Sequence, residues 1–357
     1  MEGIMGCCEL MGMHNTAARP SNPPAGVGRR AALAGLAGLA GSGAAFASGI
    51  ALGQGTKLRL AFCGQLLCVV PYEVTRDRGH FRDEGLDVEL VYTRGGNQAM
   101  QALVGGAVDY AGTSFDVALQ AYANGAKIKR FASTGRLPLF ALATSPKTAN
   151  DIKTVKDLEN KTVAVSGLGN ADHAIVLYLL RQAGVDPRSV RFATMGPNLY
   201  DALRLGQVDA GMVQEPALSL LSAAGGNALV NAMDLEHARE HLGGAYEFMG
   251  VTVRAAERDA RLDEMRRLAR ALAKGLADTQ NLPVEVVVAA LPKALVAGGD
   301  RGQLMEILGR YRRSLYPDGV KIDPAASARV VEANKIAGLV APAVEIGELL
   351  DLAALEG

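Results

Sequence analysis

Tryptophan is missing from the 357 residues and aromatics make up only 5%, which excludes a tryptophan cage around a ligand. Neither charge is in excess, 37 Lys and Arg meeting 37 Asp and Glu. A balanced chain lacks the basic surface that nucleic acid usually demands and the polybasic segment that anionic membranes attract. Four cysteines without metal-ligand spacing exclude a zinc ribbon or a disulfide scaffold. The nearest thing to a membrane span, residues 31–46, is too short and too rich in glycine for that role. What remains is a folded globular composition, 49% hydrophobic and 21% charged, long enough for two or three domains of ordinary size.

The first residues read as an address. Residues 1–30 show no apolar period and end in Arg29-Arg30. A mild run of Ala, Gly and Leu follows and closes on Ala45-Phe46-Ala47, a small-x-small pattern that a signal peptidase accepts. Paired arginines before such a run resemble a twin-arginine export signal. Gly28 and Ala32 depart from the usual Ser/Thr and large apolar residue of that pattern. Residues 1–47 are therefore expected to be an export signal, with the rest of the chain in the periplasm. Two cysteines stay in the mature chain, Cys63 and Cys68. Buried free thiols and a disulfide are both open readings.

The chain then repeats itself. Ala102-Leu103, Gly106 and Val108-Asp109 recur as Ala202-Leu203, Gly206 and Val208-Asp209, and Gly96 recurs as Gly196. With one residue of slip, Gly85-Leu86-Asp87 answers Gly184-Val185-Asp186. Each copy reads as a short strand (58–62; 162–165), a Gly-containing loop, and a helix stopped by Gly85 or Gly184. Glycine suits the left-handed position after a helix. A second strand (88–92; 190–193), a helix and a third strand follow. This alternation predicts an α/β fold of two lobes, each a mostly parallel sheet flanked by helices. Right-handed crossovers place the strand-end loops of a unit on one edge, where ligands of open α/β sheets bind.

Residues 57–142 are expected to form the first part of lobe one and residues 143–249 lobe two. Residues 250–357 would return a strand to lobe one and add C-terminal helices packed on it. The run 137–142 reads as a strand leaving lobe one and 246–253 as the return, two crossings that make a hinge. Leu262, Met265, Leu268, Leu272 and Leu276 keep the spacing of one buried helix face, and Leu304, Ile307, Leu308 and Tyr311 repeat it.

Several segments resemble a known family. Arg78-Gly79-His80-Phe81 with Glu84-Gly85-Leu86-Asp87-Val88-Glu89 is similar to its KGYF…EGLDVE stretch. The run from Ala102 to Tyr110 resembles its ALxxGxVDf element, and Thr154-Val155-Lys156-Asp157-Leu158 with Lys161-Thr162-Val163-Ala164-Val165 the opening of its second lobe. The family is that of the nitrate/sulfonate/taurine-type substrate-binding proteins of ABC importers, which includes binders of thiamine-pyrimidine precursors. The resemblance covers residues 57–255 well and the tail weakly. It implies a two-lobed periplasmic-binding-protein type II fold without enzymatic activity or cofactor. It also implies a small solute clamped between the lobes and delivered to an ABC permease driven by its ATPase. The chain itself is expected to be a monomer that binds no metal and no nucleic acid.

Four loops are expected to reach the cleft. The first offers Gln65. In the second, Gly96 and Asn97 open a helix whose free N–H groups favour an anion, with Asn97 also suited to cap that helix. The third carries Ser114, Phe115 and Asp116, with Glu215 as the repeat partner; in the family these positions contact ligand. Both carboxylates also suit helix N-termini, but unpaired in the cleft they would favour an amine or aminopyrimidine. The fourth, with Ser166, Gly167, Asn170 and His173, resembles the family's serine-rich loop. Here Gly169 and Asn170 replace hydroxyl residues. Asn198, two residues beyond the recurring Gly196, completes the candidates. Arg136 is a possible charge-assisted partner for a carboxylate or sulfonate. A small organic acid or sulfonate is the leading solute. An enzyme on the same scaffold or a regulator's sensing domain are the rivals. Export argues against the first, and residues 1–56 supply no helix-turn-helix for the second.

Overall fold

The computed structural model describes residues 55–296 and 300–356, so the expected export signal lies outside the described residues. Lobe one begins with β1 (Thr56–Cys63), α1 (Leu66–Asp77), α2 (His80–Asp83), β2 (Leu86–Thr93) and α3 (Gly96–Val104). It continues through β3 (Tyr110–Ser114), α4 (Phe115–Ala123) and β4 (Ile128–Ser133). The chain then crosses to lobe two: β5 (Ala141–Thr144), a 3-10 turn at Val155–Leu158, β6 (Thr162–Val165), α5 (Ala171–Gln182), β7 (Arg191–Thr194) and α6 (Leu199–Arg204). β8 (Ala210–Val213), α7 (Ala217–Ala223), β9 (Ala228–Asn231) and α8 (Leu235–Leu242) complete it. A second crossing returns the chain as β10 (Met249–Arg254). The tail follows as α9 (Leu262–Asn281), α10 (Val284–Ala289), α11 (Lys293–Val296), α12 (Arg301–Leu315) and α13 (Pro324–Ile336).

The two sheets are ordered β2-β1-β3-β10-β4 and β7-β6-β8-β5-β9. Each has one antiparallel strand, and that strand belongs to a crossing. β5 enters between β8 and β9, and β10 enters between β3 and β4. The sequence repeat is therefore a structural one, reaching single hydrogen bonds. The Asp109 carboxylate accepts from the Arg59 amide (2.7 Å) and the Asp209 carboxylate from that of Thr162 (2.7 Å), in each case joining the third strand of a unit to its first. Gly85 and Gly184, with φ of 68° and 75°, take the left-handed position past α2 and α5. The first helical stretch is not continuous, however. Gly79, at φ 81°, divides it into α1 and α2.

Sheet one shows period-two burial. Leu58, Leu60 and Phe62 of β1 face a cluster with Leu268 and Leu272 of α9, while Ala61 and Cys63 face the opposite core with Leu103 and Val117. The tail departs from the expectation that it packs on lobe one. α9 does lie along α1 and α2, where Arg270 and Lys274 hold Glu84 (2.9 Å each). α12 reaches lobe two, however. Tyr311 Oη accepts from Asn231 Nδ2 (3.0 Å) and Ser314 Oγ donates to the Met233 carbonyl (2.8 Å). α13 packs against both α4 and α5. The amphipathic period fixed the buried face but carried no information on which lobe would cover it. Near the C-terminus, Leu349 and Asp351 bond the Arg130 backbone (2.7 and 2.8 Å), covering the edge of β4. No helix among the described residues is long and apolar enough to cross a membrane.

Candidate functional site

The residues before four helices meet in one recess between the lobes. Gln65 caps α1, Gly95 caps α3, Ser114 caps α4 and Asn170 caps α5, and all four line it. The common cause is topological: each of these helices follows the carboxyl end of a parallel strand, so its amino end points to the same edge. Ser114 Oγ accepts from the Val117 amide (3.3 Å), whereas no side chain caps α1 or α3. The positive ends of the helix dipoles thus point at the recess. Phe140, Phe248 and Met249, from the two crossings, line it as well. The recess is narrow, with a cavity of about 30 Å³ between the lobes and the rest open to solvent.

Its charge is one-sided. Arg94 is a lining residue, while no Asp or Glu is. Thr113 Oγ1 is buried there without a partner, and so is Asn170 Oδ1. Lobe contacts close around the recess: Gln214 Nε2 donates to Gln65 Oε1, and a Cβ placed on Gly95 would stand 3.4 Å from Asn170 Nδ2. A second, more open groove of about 330 Å³ on lobe one is lined by Lys127, Lys129, Glu345 and Glu348 among others. Its balanced charges and separate lining set it apart from this site.

Of the candidates read from the sequence, Gln65, Gly96, Ser114, Ser166 and Asn170 line the recess. Asn97 sits half-buried beside it, its Nδ2 3.6 Å from where a Gly169 Cβ would lie. It does not cap α3, because Gly95 is the capping residue. Gly167 makes room for the Asn170 amide, whose Nδ2 would be 2.8 Å from a Cβ there. Phe115 is core, under the Arg130 guanidinium at 5.3 Å.

Asp116 is fully buried and bonded by Tyr246 Oη and Asn334 Nδ2, both at 2.8 Å; burial pushes its carboxyl up to about 6. Glu215 accepts from the Ser219 amide and hydroxyl, 3.0 Å each, and so caps the start of α7. Arg136 is spent on the C-terminal carbonyls of α12, donating to Ser314 (3.1 Å) and Arg313. His173 accepts from the Gly169 amide at Nδ1 (3.2 Å) and packs edge-on to Phe192, and burial lowers its pKa. Asn198 is exposed in the 3-10 turn before α6.

Sequence reasoning placed Thr113 in the third loop, just before Ser114, but missed Arg94, Phe140 and Phe248. Arg94 stands two residues before Gly96, at the start of the second loop, so its position was a usable signal. The two phenylalanines sit in apolar runs that read as plain strand. Cys63 and Cys68 line the recess as free thiols. Their mutual hydrogen bond and burial push Cys68 well above the ordinary thiol range, while the same bond lowers Cys63.

Solved structures share this architecture. A Bordetella bronchiseptica RB50 protein is 26% identical over 85% of this chain and 96% of its own, with a TM-score of 0.75. The periplasmic aliphatic sulphonate binding protein SsuA of Escherichia coli is 20% identical over 82% and 91%, with a TM-score of 0.63. The periplasmic nitrate-binding protein NrtA of Synechocystis PCC 6803 is 13% identical over 84% and 87%, also at 0.63. These likenesses show a two-lobed periplasmic-binding-protein fold. No curated protein matches the sequence. The NMT1/THI5-like family model does match, over residues 69–286; with more than half of its length so covered, the chain belongs to the NMT1/THI5-like family.

Proposed function

We propose that this protein is an extracytoplasmic solute-binding protein, exported by the twin-arginine route, that clamps a small organic anion between its lobes. It then delivers that solute to an ABC permease coupled to an ATPase. One observation carries the solute class: four helix N-termini and Arg94 converge on a recess with no carboxylate in its lining. Partial positive charge from helix ends and a guanidinium favour a sulfonate or carboxylate. Two structural neighbours are named for binding anions, an aliphatic sulphonate and nitrate. An aminopyrimidine would need a carboxylate partner, and Asp116 and Glu215 are bonded elsewhere. A binder suits the recess better than an enzyme, since neither an imidazole nor a carboxylate lines it to serve as a general base.

The test is a set of melting shifts on protein stripped of solute by unfolding and refolding, against alkanesulfonates, taurine, nitrate, aromatic carboxylates and aminopyrimidines. An anion at 100 times its dissociation constant adds about 2.7 kcal/mol of stability. Arg94→Gln should weaken that anion by roughly tenfold, the low end for a charge-assisted bond because Arg94 is exposed. A shift with aminopyrimidines alone, or an Arg94→Gln variant with unchanged anion affinity, would overturn the proposal.

A further inference from the structure

Ser166, Asn170 and Asp172 form a chain of hydrogen bonds that fixes the direction of one amide. Asp172 is fully buried at the start of α5 and accepts from the Ser166 amide (2.5 Å) and the Ser166 hydroxyl (2.8 Å). A hydroxyl has a single proton. With that proton given to the Asp172 carboxylate, Ser166 Oγ has only lone pairs to offer Asn170. Asn170 must therefore turn its NH₂ group to Ser166, as it does at 3.0 Å. Its Oδ1 is left buried at the recess with no partner. The oxygen and nitrogen of an amide are told apart by such networks, and here the network leaves one choice.

The recess thus has two unlike sides. Lobe one supplies helix ends, Arg94 and the unpartnered Thr113 hydroxyl, which suit an anionic group. Lobe two adds the start of α5 and, beside it, a bare acceptor that an anion cannot satisfy. Building on the anion reading above, we propose that the solute also carries a neutral hydrogen-bond donor, a hydroxyl, that Asn170 Oδ1 accepts. Asn170 then selects hydroxylated organic anions over their plain analogues. A site with a buried acceptor rejects an analogue that leaves the acceptor unpaired, because the analogue must strip water from that atom and return nothing.

The experiment compares matched pairs by calorimetry on the stripped full chain: 2-hydroxyethanesulfonate against ethanesulfonate, and 3-hydroxypropionate against propionate. The native chain should bind the hydroxylated member of a pair about ten- to a hundredfold more tightly. Asn170→Leu, of similar size without an acceptor, should bring the ratio close to one, and Asn170→Ala should do the same. Neither removes a helix cap, since the Asn170 side chain makes no capping bond to α5. Equal affinity within each pair on the native chain would overturn this inference while leaving the anion reading standing. A preference that survives in both variants would remove the role from Asn170. Binding of none of the four anions would overturn this inference, and the anion reading with it if the wider anion panel fails as well.

Discussion

Replacing Arg130 with methionine should unlock the back wall of the recess. Arg130 lies on β4, fully buried, and its guanidinium ties three elements together. Nη1 donates to the Thr113 carbonyl (3.0 Å), and Nη2 to Glu247 Oε1 (3.0 Å) and the Phe248 carbonyl (2.9 Å). Thr113 and Phe248 both line the recess. Methionine fills much of the volume but takes one donor each from the Thr113 and Phe248 carbonyls, the second of which keeps the Phe115 amide (2.7 Å), and leaves the Glu247 carboxylate, 2% exposed, without its countercharge. Breaking one side of a buried pair costs about 3–5 kcal/mol. That exceeds what a lost surface ion pair costs, about 0–1 kcal/mol, so the two cases separate cleanly.

Urea unfolding followed by circular dichroism measures the effect. Adding Glu247→Gln to the Arg130→Met chain removes the stranded charge and should recover about 1–2 kcal/mol, within the cost of an unpaired buried group. Burial already raises the Glu247 pKa, and losing Arg130 raises it further. The deficit should therefore shrink as the pH falls and Glu247 takes up a proton. A single variant less than about 1 kcal/mol below the native chain would refute the reasoning. So would a double variant less stable than Arg130→Met alone.

Two further outcomes follow from the packing and the buried acid. Asp116, held at about 6 by burial, ionises more readily unfolded than folded. Its stabilising contribution is complete below about pH 4 and lost as the pH rises through 6. Relative to the native chain, Asp116→Asn should thus gain up to about 3 kcal/mol between pH 4 and 7.5; a difference flat across that range would contradict the assignment. Gly275→Ala should lower the melting midpoint, because its Cβ would fall 2.8 Å from Thr75 Cβ on the facing α1. The expected cost is about 1–3 kcal/mol, and an unchanged midpoint would show that α1 and α9 part more easily than their contact suggests.

The loops that line the recess were legible because the repeat made them so. Once Gly-x-Val-Asp was seen twice, strand ends and helix starts could be placed in both lobes, and Gln65, Gly96, Ser114, Ser166 and Asn170 followed. Charged residues were harder to place. Asp116, Glu215 and Arg136 are as suitable for a cleft as for a helix end, and only their partners tell which. Arg136 meets α12, a segment more than 150 residues further along the chain, whereas Arg94 projects beside Gly95 with no such claim on it. An inventory of residue types cannot rank one arginine above the other.

The sequence by itself determined the features that depend on near neighbours. These are the alternation of strands and helices, the glycine stops at Gly85 and Gly184, the buried faces of α9 and α12, and the division into two similar units. Backbone sterics and side-chain periodicity act over a few residues, so a linear reading captures them. Tertiary structure alone decided that the tail bridges both lobes and that the Arg130–Glu247 pair stands behind the recess. It also decided that the Asp172–Ser166–Asn170 chain turns one carbonyl oxygen inward. Those outcomes rest on contacts between groups that only the completed fold brings within hydrogen-bond reach, and on burial that makes an unpaired atom costly.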